Sequence, residues 1–330
     1  MNRHLLSIEG LSKEQLLLYI ENAASFVEVS KRELKKVPTL RGKTIINLFL
    51  EPSPRTRASF EIAAKSLSAD TINIGGSDSS AKKGESILDT AKTLEAMSPD
   101  AIVVRHKESG TANFLAKQIP RTSIINAGDG MHEHPTQALL DCLSLKQYFE
   151  NHGRSLLGLK IAIVGDIRHS RVARSNIWAH SLLGNELRLV APPTLLPPYC
   201  EEEKCFGKKV KVYNNLEEGI EGVDVVMVLR MQLERQNEFF VPSLEEYSNN
   251  YCISEKLLSR SAPDAVVMHP GPINRGIEIS TEVADGQRSL ITNQVNNGVA
   301  VRMAVLFMLC AGPREVEEEE GDSGKEAVNI

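Results

Sequence analysis

The 330-residue chain is 42% hydrophobic and 25% charged, which is typical of a globular protein and leaves room for two domains of ordinary size. No apolar stretch approaches the roughly 20 residues that cross a bilayer, so we expect neither a membrane span nor a secretory signal. Residues 313–330 hold two basic and seven acidic residues, which accounts for the whole net charge of −5. The remaining 36 basic and 36 acidic residues balance and give no basic field for nucleic acid.

The five cysteines are scattered and odd in number, which favours free thiols in a reducing cytoplasm over a disulfide framework. Cys200 and Cys205 have no paired histidine nearby, so a zinc site is not indicated. The acidic composition of residues 312–330 is typical of a solvated, disordered tail.

The first half of the chain alternates strand-like and helical patterns. An amphipathic helix begins after Ser12, which has Gln15 in capping-box spacing. Beyond it, apolar β-branched runs predict strands at 44–50, 70–74, 100–105 and 122–128, and helical periodicity predicts helices near 54–68, 85–97, 110–118 and 134–149. Such alternation is typical of βαβ units and predicts a parallel sheet.

A second alternating series follows a polar joint at 151–158 and ends in a long apolar helix at 293–312. Its strands are predicted at 159–166, 186–192, 208–213, 223–230 and 264–272, and its clearest helix near 171–183. We therefore predict an α/β protein of two domains, each a parallel β-sheet flanked by helices, with the active site in the interdomain cleft. The predicted limits are 1–150, 151–290, a returning helix at 291–311 and the tail at 312–330.

Polar clusters follow six of the predicted strands. Ligands of parallel sheets bind beyond the carboxyl ends of the strands, so these clusters predict an active site at one edge of the two sheets. The clusters are "EPSPRTR", "RHKESG", "NAGDGMHEHPTQ", "GDIRHSR", "LRMQLER" and "HPGPINRG".

The stretch "SPRTR" places cations where a helix begins. Ser53 suits the N-cap and Pro54 the first helical position, with Arg55 and Thr56 in the first turn. The helix dipole already favours anions there, so arginines are destabilising unless a phosphate or carboxylate binds. The alternative is an ordinary capped helix with surface arginines. Arg105, which ends another strand, is either a second ligand for the same anion or a solvated strand end.

The run His132-Glu133-His134 invites a metal, but three consecutive residues on a strand cannot face one ion, and we predict no metal site. Instead, His134 and Gln137 lie three residues apart at a helix start and suit a ligand with a carbonyl and an amide.

Further arginines follow the second series of strands. "IAIVGDIRHSR" lacks the glycine pattern of a dinucleotide site, and Arg171 is a candidate carboxylate clamp. Arg230 and Gln232 repeat the theme, with binding and surface roles about equally supported by the residues alone. Lys82 and Lys83 lie in a polar stretch that on its own indicates only a solvated loop.

These motifs together resemble the aspartate carbamoyltransferase family, within the aspartate/ornithine carbamoyltransferases. The resemblance covers residues 5–311 and rests on "SPRTRASFE", "KKGES", "VVRH", "NAGDG", "HPTQ", "GDIRHSR", "LRMQLER" and "HPGPINRG" in this order. It implies transfer of the carbamoyl group of carbamoyl phosphate to L-aspartate, with no metal or cofactor. It also implies a homotrimer with shared active sites and leaves further regulatory or pathway subunits open.

The resemblance also assigns roles to individual residues. Catalysis would involve Arg55, Thr56, Arg105 and His134. Carbamoyl phosphate would be bound by the first domain and by the carbonyls of a Pro-Gly-Pro turn, through Ser53, Arg55, Thr56, Arg105, His134, Gln137, Pro270, Gly271 and Pro272. L-Aspartate would be bound by the second domain and by a lysine lent from the neighbouring subunit, through Lys83, Arg171, Arg230 and Gln232.

One departure and two alternatives accompany the resemblance. Pro54 stands where the family usually has threonine, which removes a hydroxyl and a backbone N–H from the phosphate site. Ornithine carbamoyltransferases share the phosphate half but carry a His-Cys-Leu-Pro element where this chain has His269-Pro-Gly-Pro272. A non-catalytic homologue that acts as a scaffold is the other alternative, and the retained arginines, His134 and Gln137 argue against it.

Overall fold

The computed structural model describes residues 3–76, 85–207, 210–232 and 240–311. Its strands alternate with helices as the sequence predicts, and both sheets are entirely parallel. The predicted α/β class, with two parallel sheets flanked by helices, is therefore confirmed. The domain limits, and the disorder expected of the tail, stay predictions, and residues 312–330 lie outside the described part.

The first sheet has the strand order β2-β1-β3-β4. Its strands are β1 (Thr44–Phe49), β2 (Asp70–Gly75), β3 (Ala101–His106) and β4 (Ser123–Asp129). The helices of this half are α1 (Lys13–Lys31), α2 (Pro54–Ser66), α3 (Ile87–Ala96), α4 (Thr111–Gln118) and α5 (Pro135–Asn151). The predicted capping box of α1 is present, with Ser12 and Gln15 bonding each other's backbone N–H groups.

The second sheet has the order β7-β6-β5-β8-β9. Its strands are β5 (Lys160–Val164), β6 (Glu186–Val190), β7 (Lys211–Tyr213), β8 (Val225–Val228) and β9 (Val266–Met268). The helices are α6 (Arg171–Leu182), α7 (Glu203–Phe206), α8 (Leu216–Ile220), α9 (Leu244–Tyr251), α10 (Glu255–Ser261), α11 (Thr281–Ala284) and α12 (Ile291–Cys310). Four short helices, α7 and α9 to α11, are additions to the predicted elements.

Alternate residues of β1 bury opposite faces of the first sheet. Ile45 and Phe49 belong to the main hydrophobic core, whereas Ile46 and Leu48 pack in a second cluster under α3 and α4. The apolar helix α12 packs against α1, α2 and α5, as expected for a helix that returns to the first half. Among the described residues, no helix combines the length and hydropathy needed to cross a membrane.

Each sheet has a topological switch point, where successive strands are added first on one side of a central strand and then on the other. In the first sheet β1 lies between β2 and β3, and in the second β5 lies between β6 and β8. At such points the loops after neighbouring strands diverge and open a crevice for a ligand. Arg105 is the last residue but one of strand β3, next to its carboxyl end, and the segments that follow β1, β5 and β8 carry Arg55, Arg171 and Arg230. The fold therefore places all four arginines at these two crevices.

Candidate active site

A cavity of about 720 Å³ lies between the two sheets. Every predicted site residue within the described part lines it: Ser53, Arg55, Thr56, Arg105, His134, Gln137, Arg171, Arg230, Gln232, Pro270, Gly271 and Pro272. Lys83, the remaining predicted site residue, lies outside the described residues. Several further charged or polar residues line the cavity without having been predicted, among them Glu51, Ser170, His269, Gln294 and Arg302.

The amino end of α2 forms one wall. Ser53 occupies the N-cap and Pro54 the first helical position, as predicted, but the Ser53 side chain makes no capping hydrogen bond. The helical ladder begins with the N–H of Arg57, which donates to the Ser53 carbonyl over 3.1 Å. The amides of Arg55 and Thr56 therefore precede the ladder and are available to a ligand. A hydroxyl, two N–H groups and a guanidinium thus surround a position suited to a phosphate.

Two predicted arginines share one carboxylate. Arg171 donates to both oxygens of Glu51, over 2.7 and 2.8 Å, and Arg105 donates to the same carboxylate over 3.1 Å. Arg105 also donates to the Ala127 carbonyl. Gly128 has φ +114°, and a side chain there would lie within about 3.1 Å of both guanidinium groups. Glycine is therefore needed for this close approach, and Glu51 links the first sheet to the second.

His134 and Gln137 lie at the amino end of α5 and are largely buried. The backbone N–H of His134 donates to Ser175 of α6 over 2.8 Å, which ties this end of α5 to the second half. Gln137 uses its side-chain amide to donate to Asp141 over 2.9 Å. The predicted pair thus faces one cavity, with the Gln137 side chain already bound at its nitrogen.

The second sheet contributes Arg230 and Gln232. Partial burial lowers the pKa of Arg230, nearby Glu278 raises it and Arg55 lowers it, so an added anion would stabilise this cation. Arg230 donates to the Gln232 side chain over 3.3 Å, and the Gln232 N–H donates to Asp166. The residues that follow, 233–239, lie outside the described part.

The Pro-Gly-Pro turn after β9 is held by a buried histidine and a buried carboxylate. His269 Nδ1 accepts the N–H of Gly271 over 2.8 Å, so its proton lies on Nε2, which contacts Glu278 over 3.2 Å. Glu278 also accepts the N–H of Asn274. Gly271 has φ +64°, and a side chain there would lie 2.9 Å from the Arg55 guanidinium, so the turn packs directly onto the helix that bears Arg55.

The histidine and glutamate that suggested a metal lie away from this cavity. His132, Glu133 and Glu9 do place ligand atoms within 4.8 Å of one another. However, Glu133 accepts hydrogen bonds from the N–H groups of Ile8 and Glu9 and from Ser175, while His132 pairs with Asp129. These contacts make Glu133 a structural tie between the amino-terminal segment and α6.

Two sequence models of one protein family match the chain. Residues 3–147 match the sequence model of the aspartate/ornithine carbamoyltransferase carbamoyl-P binding domain, and residues 157–309 match that of the Asp/Orn binding domain. A protein of Desulfotalea psychrophila named aspartate carbamoyltransferase catalytic subunit is 53% identical, over 96% of this chain and 97% of its own. The chain belongs to the aspartate/ornithine carbamoyltransferase family.

Solved structures of this family have the same fold. The catalytic subunit of M. jannaschii aspartate transcarbamoylase is 34% identical, with a TM-score of 0.79 over 97% of this chain and 100% of its own. The Trypanosoma cruzi aspartate transcarbamoylase in complex with carbamoyl phosphate and aspartate is 29% identical, with a TM-score of 0.80 over 92% and 95%. The ornithine carbamoyltransferase of Thermus thermophilus is 26% identical, with a TM-score of 0.80 over 94% and 99%. The fold alone therefore does not separate the two activities of the carbamoyltransferase family.

Proposed function

We propose that this carbamoyltransferase transfers the carbamoyl group of carbamoyl phosphate to L-aspartate, giving N-carbamoyl-L-aspartate and phosphate, an early step of pyrimidine biosynthesis. The observation that carries this proposal is the single cavity that joins an anion-binding helix start on one sheet to arginines of both sheets. Both substrates are anions. Among the described residues, six arginines and one carboxylate, Glu51, line the cavity, which gives it a positive charge suited to them. The name of the 53% identical relative supports the same activity.

The proposed chemistry is an acyl transfer. The amine of aspartate attacks the carbonyl carbon, the C–N bond forms, and the C–O bond to phosphate breaks as the phosphate takes the proton of the amine. We infer that Ser53, Arg55, Thr56 and Arg105 bind the phosphate, and that Thr56, Arg105 and His134 stabilise the oxyanion. Holding two substrates in one cavity supplies much of the rate by proximity.

The remaining residues complete the two substrates' sites. Gln137 and the carbonyls of the 270–272 turn would accept the N–H groups of the carbamoyl nitrogen and the attacking amine. Arg171, Arg230 and Gln232 would bind the aspartate carboxylates. The mechanism requires no metal or cofactor, because arginines and backbone dipoles supply the positive potential.

Aspartate rather than ornithine is the proposed acceptor. The ammonium at the end of the ornithine side chain would be repelled by Arg171 and Arg230, and the turn after β9 reads His269-Pro-Gly-Pro272. The test is a carbamoyl-transfer assay in which aspartate and ornithine are offered to the same preparation. Faster use of ornithine would contradict the acceptor assignment, and turnover of neither would favour a scaffold.

We also propose a cytoplasmic homotrimer in which Lys83 of one subunit completes the neighbour's site. The five cysteines are all free, as a reducing compartment requires. Ile72 on the edge strand β2 is 49% exposed, and Ile62 on the adjoining α2, which also lines the cavity, is 52% exposed. Apolar side chains on an edge strand and an adjacent helix suit burial by another subunit. Light scattering of the purified protein tests the trimer.

A further inference from the structure

A buried carboxylate, Asp141, lies one helical turn beyond Gln137 on α5. It is fully buried and is absent from the cavity lining. Three side-chain amides donate to it: Gln137 over 2.9 Å and Gln294 over 2.7 Å to Oδ1, and Asn176 over 2.8 Å to Oδ2. These donors come from α5, α12 and α6, so the carboxylate joins three helices beneath the cavity floor.

The backbone sets the direction of these hydrogen bonds. The Gln294 carbonyl oxygen accepts the N–H of His269 over 3.0 Å, so only its nitrogen can face Asp141. The Asn176 nitrogen also donates to the Val172 carbonyl, so it too must face Asp141 with its nitrogen. Both oxygens of Asp141 are thereby committed as acceptors. Gln137 consequently gives its nitrogen to Asp141 and keeps its carbonyl oxygen for the cavity.

This orientation has a consequence for recognition of the carbamoyl group. We propose that Asp141 is a positioning and specificity-determining residue, which holds the Gln137 carbonyl oxygen toward the substrate's NH₂ group and so excludes acyl phosphates that carry a methyl group there. The NH₂ group donates to this oxygen, and a methyl group cannot. If the Gln137 carboxamide were reversed, its NH₂ group would face the NH₂ group of the substrate, and the preference for a carbamoyl over an acetyl group would be lost. The inference rests on the proposed function, because it assumes that the carbamoyl nitrogen meets Gln137.

The test compares two stable ligands that differ only in this group, phosphonoacetamide and acetonylphosphonate. Calorimetric titration gives the ratio of their dissociation constants without turnover. In the wild type phosphonoacetamide should bind more tightly, so the dissociation constant of acetonylphosphonate divided by that of phosphonoacetamide exceeds one. In Asp141→Leu this ratio should fall about tenfold, the equivalent of one hydrogen bond. Asp141→Asn should keep the ratio, because its side-chain oxygen can still accept from Gln137 and Gln294. Asn176→Ala, which removes a partner of Asp141 without touching Gln137, should also keep it.

A general loss of packing would have a different signature. Asp141→Leu would then weaken both ligands equally and leave the ratio unchanged, which would overturn the proposal. In a Gln137→Leu background, Asp141→Leu should have no further effect on the ratio, since the oxygen that it orients is absent. A further tenfold fall in that background would also contradict the proposed pathway through Gln137.

A measurement on the wild type covers the case in which Asp141→Leu does not fold. A neutron structure locates the deuterium atoms of the Gln137 carboxamide: a ND₂ group facing Asp141 supports the proposal, and one facing the cavity overturns it. The two proposals also fail separately. If the wild type carbamoylates aspartate but the ratio is unchanged in Asp141→Leu, only the role of Asp141 is overturned. If the wild type transfers no carbamoyl group, the proposed function is overturned.

Discussion

The two walls of the cavity differ in what holds their positive charge. On the wall from the first sheet, Arg55 and the free amides of α2 owe their positions to a helix start, and within the described residues Arg55 has no carboxylate partner. On the wall from the second sheet, Arg171 is bound at both its terminal nitrogens by Glu51. The helix start of the first wall thus presents donors to a ligand, whereas Arg171 of the second wall, like Arg105 of the first, is already bound by Glu51.

This difference suggests how two anionic substrates share one cavity. A phosphate at α2 completes a set of unsatisfied backbone donors, and no contact of the helix start itself has to break. A carboxylate that binds Arg171 must join or displace Glu51, which also contacts Arg105 on the phosphate side. Glu51 therefore couples the two walls, and binding on one side changes the charge that the other side experiences.

The first wall is tested by a matched pair of arginines on one helical turn. Arg55→Ala should lower kcat/KM by about 10²–10³-fold, because a preorganised donor to the phosphate and to the developing charge is lost. Arg57→Ala removes an exposed arginine that does not line the cavity and should leave the rate nearly unchanged. Steady-state kinetics with saturating aspartate decides, and equal losses in both variants would show that general surface charge, not the helix start, attracts the phosphate.

The proposed contribution of Lys83 to a neighbouring subunit's site can be tested by mixing two inactive variants. Arg55→Ala and Lys83→Ala chains, each nearly inactive alone, should regain activity when mixed, unfolded and refolded together. Random assembly of trimers would make about a quarter of the sites fully wild type. Activity of the mixture, measured against each parent treated alone, gives the result. Hybrid trimers that form but stay inactive would place Lys83 and Arg55 in the same subunit's site, or Lys83 in none.

The second wall predicts a smaller and more selective effect. Arg171→Ala should raise KM for aspartate by about 10–100-fold, the equivalent of a lost charge-assisted hydrogen bond, and should change KM for carbamoyl phosphate less. Arg168→Ala is the control, since Arg168 stacks on Phe240 and does not line the cavity. If KM for both substrates rises equally, Arg171 acts mainly by holding Glu51 and Arg105, and the two walls are not independent.

Much of the fold and of the first wall could be predicted from the sequence, because the signals are local. A proline after Ser53 predicts a helix start, and arginines directly beyond apolar runs predict strand ends, in each case within a few residues. The short helices α9, α10 and α11 were missed although each begins after a serine that caps it, because their apolar pattern spans too few residues.

The partners of the predicted residues could not be found in this way. Glu51 directly precedes "PSPRTR", but its bidentate contact with Arg171 joins residues 120 positions apart. Gln294, Asp141 and His269 meet only through the packing of α12 across both halves. Contacts of that separation depend on tertiary structure, to which a single sequence gives no periodic or spacing signal.

The network beneath both walls has its own pH dependence. Burial raises the pKa of Asp141 to about 6, and hydrogen bonds from the three amides only partly offset this. Its folded pKa is thus above the unfolded value near 3.8, so its contribution to stability is largest at low pH and falls as pH rises from about 4 to 6. Relative to Asp141→Asn, the wild type should lose roughly 3 kcal/mol of unfolding free energy over that interval. Denaturant unfolding of both proteins at pH 4 and pH 7 measures this, and a difference that is independent of pH would contradict it.

The smallest expected effect concerns Pro54, where the first wall departs from the family. Pro54→Thr adds one backbone N–H and one hydroxyl at the first position of α2, next to the proposed phosphate. A hydrogen bond to a charged group contributes roughly 1.5–3 kcal/mol, so carbamoyl phosphate should bind about tenfold more tightly. Since Ser53 does not cap the helix with its side chain, proline's fixed backbone is the main preorganising element there, and its loss should cost about 0.4–1 kcal/mol of stability.

The Pro54 substitution thus strengthens phosphate binding and weakens folding stability, and the gain in binding free energy is the larger of the two. Calorimetric titration with phosphonoacetamide and thermal unfolding of the same samples measure them separately. Pro54→Ala is the matched control: it restores the N–H without the hydroxyl and should recover part of the affinity at a similar stability loss. If both variants bind no more tightly than the wild type, the phosphate does not reach the first position of α2. The anion would then be held by Ser53, Arg55 and Thr56 alone, and the departure at Pro54 would affect only the stability of the helix start.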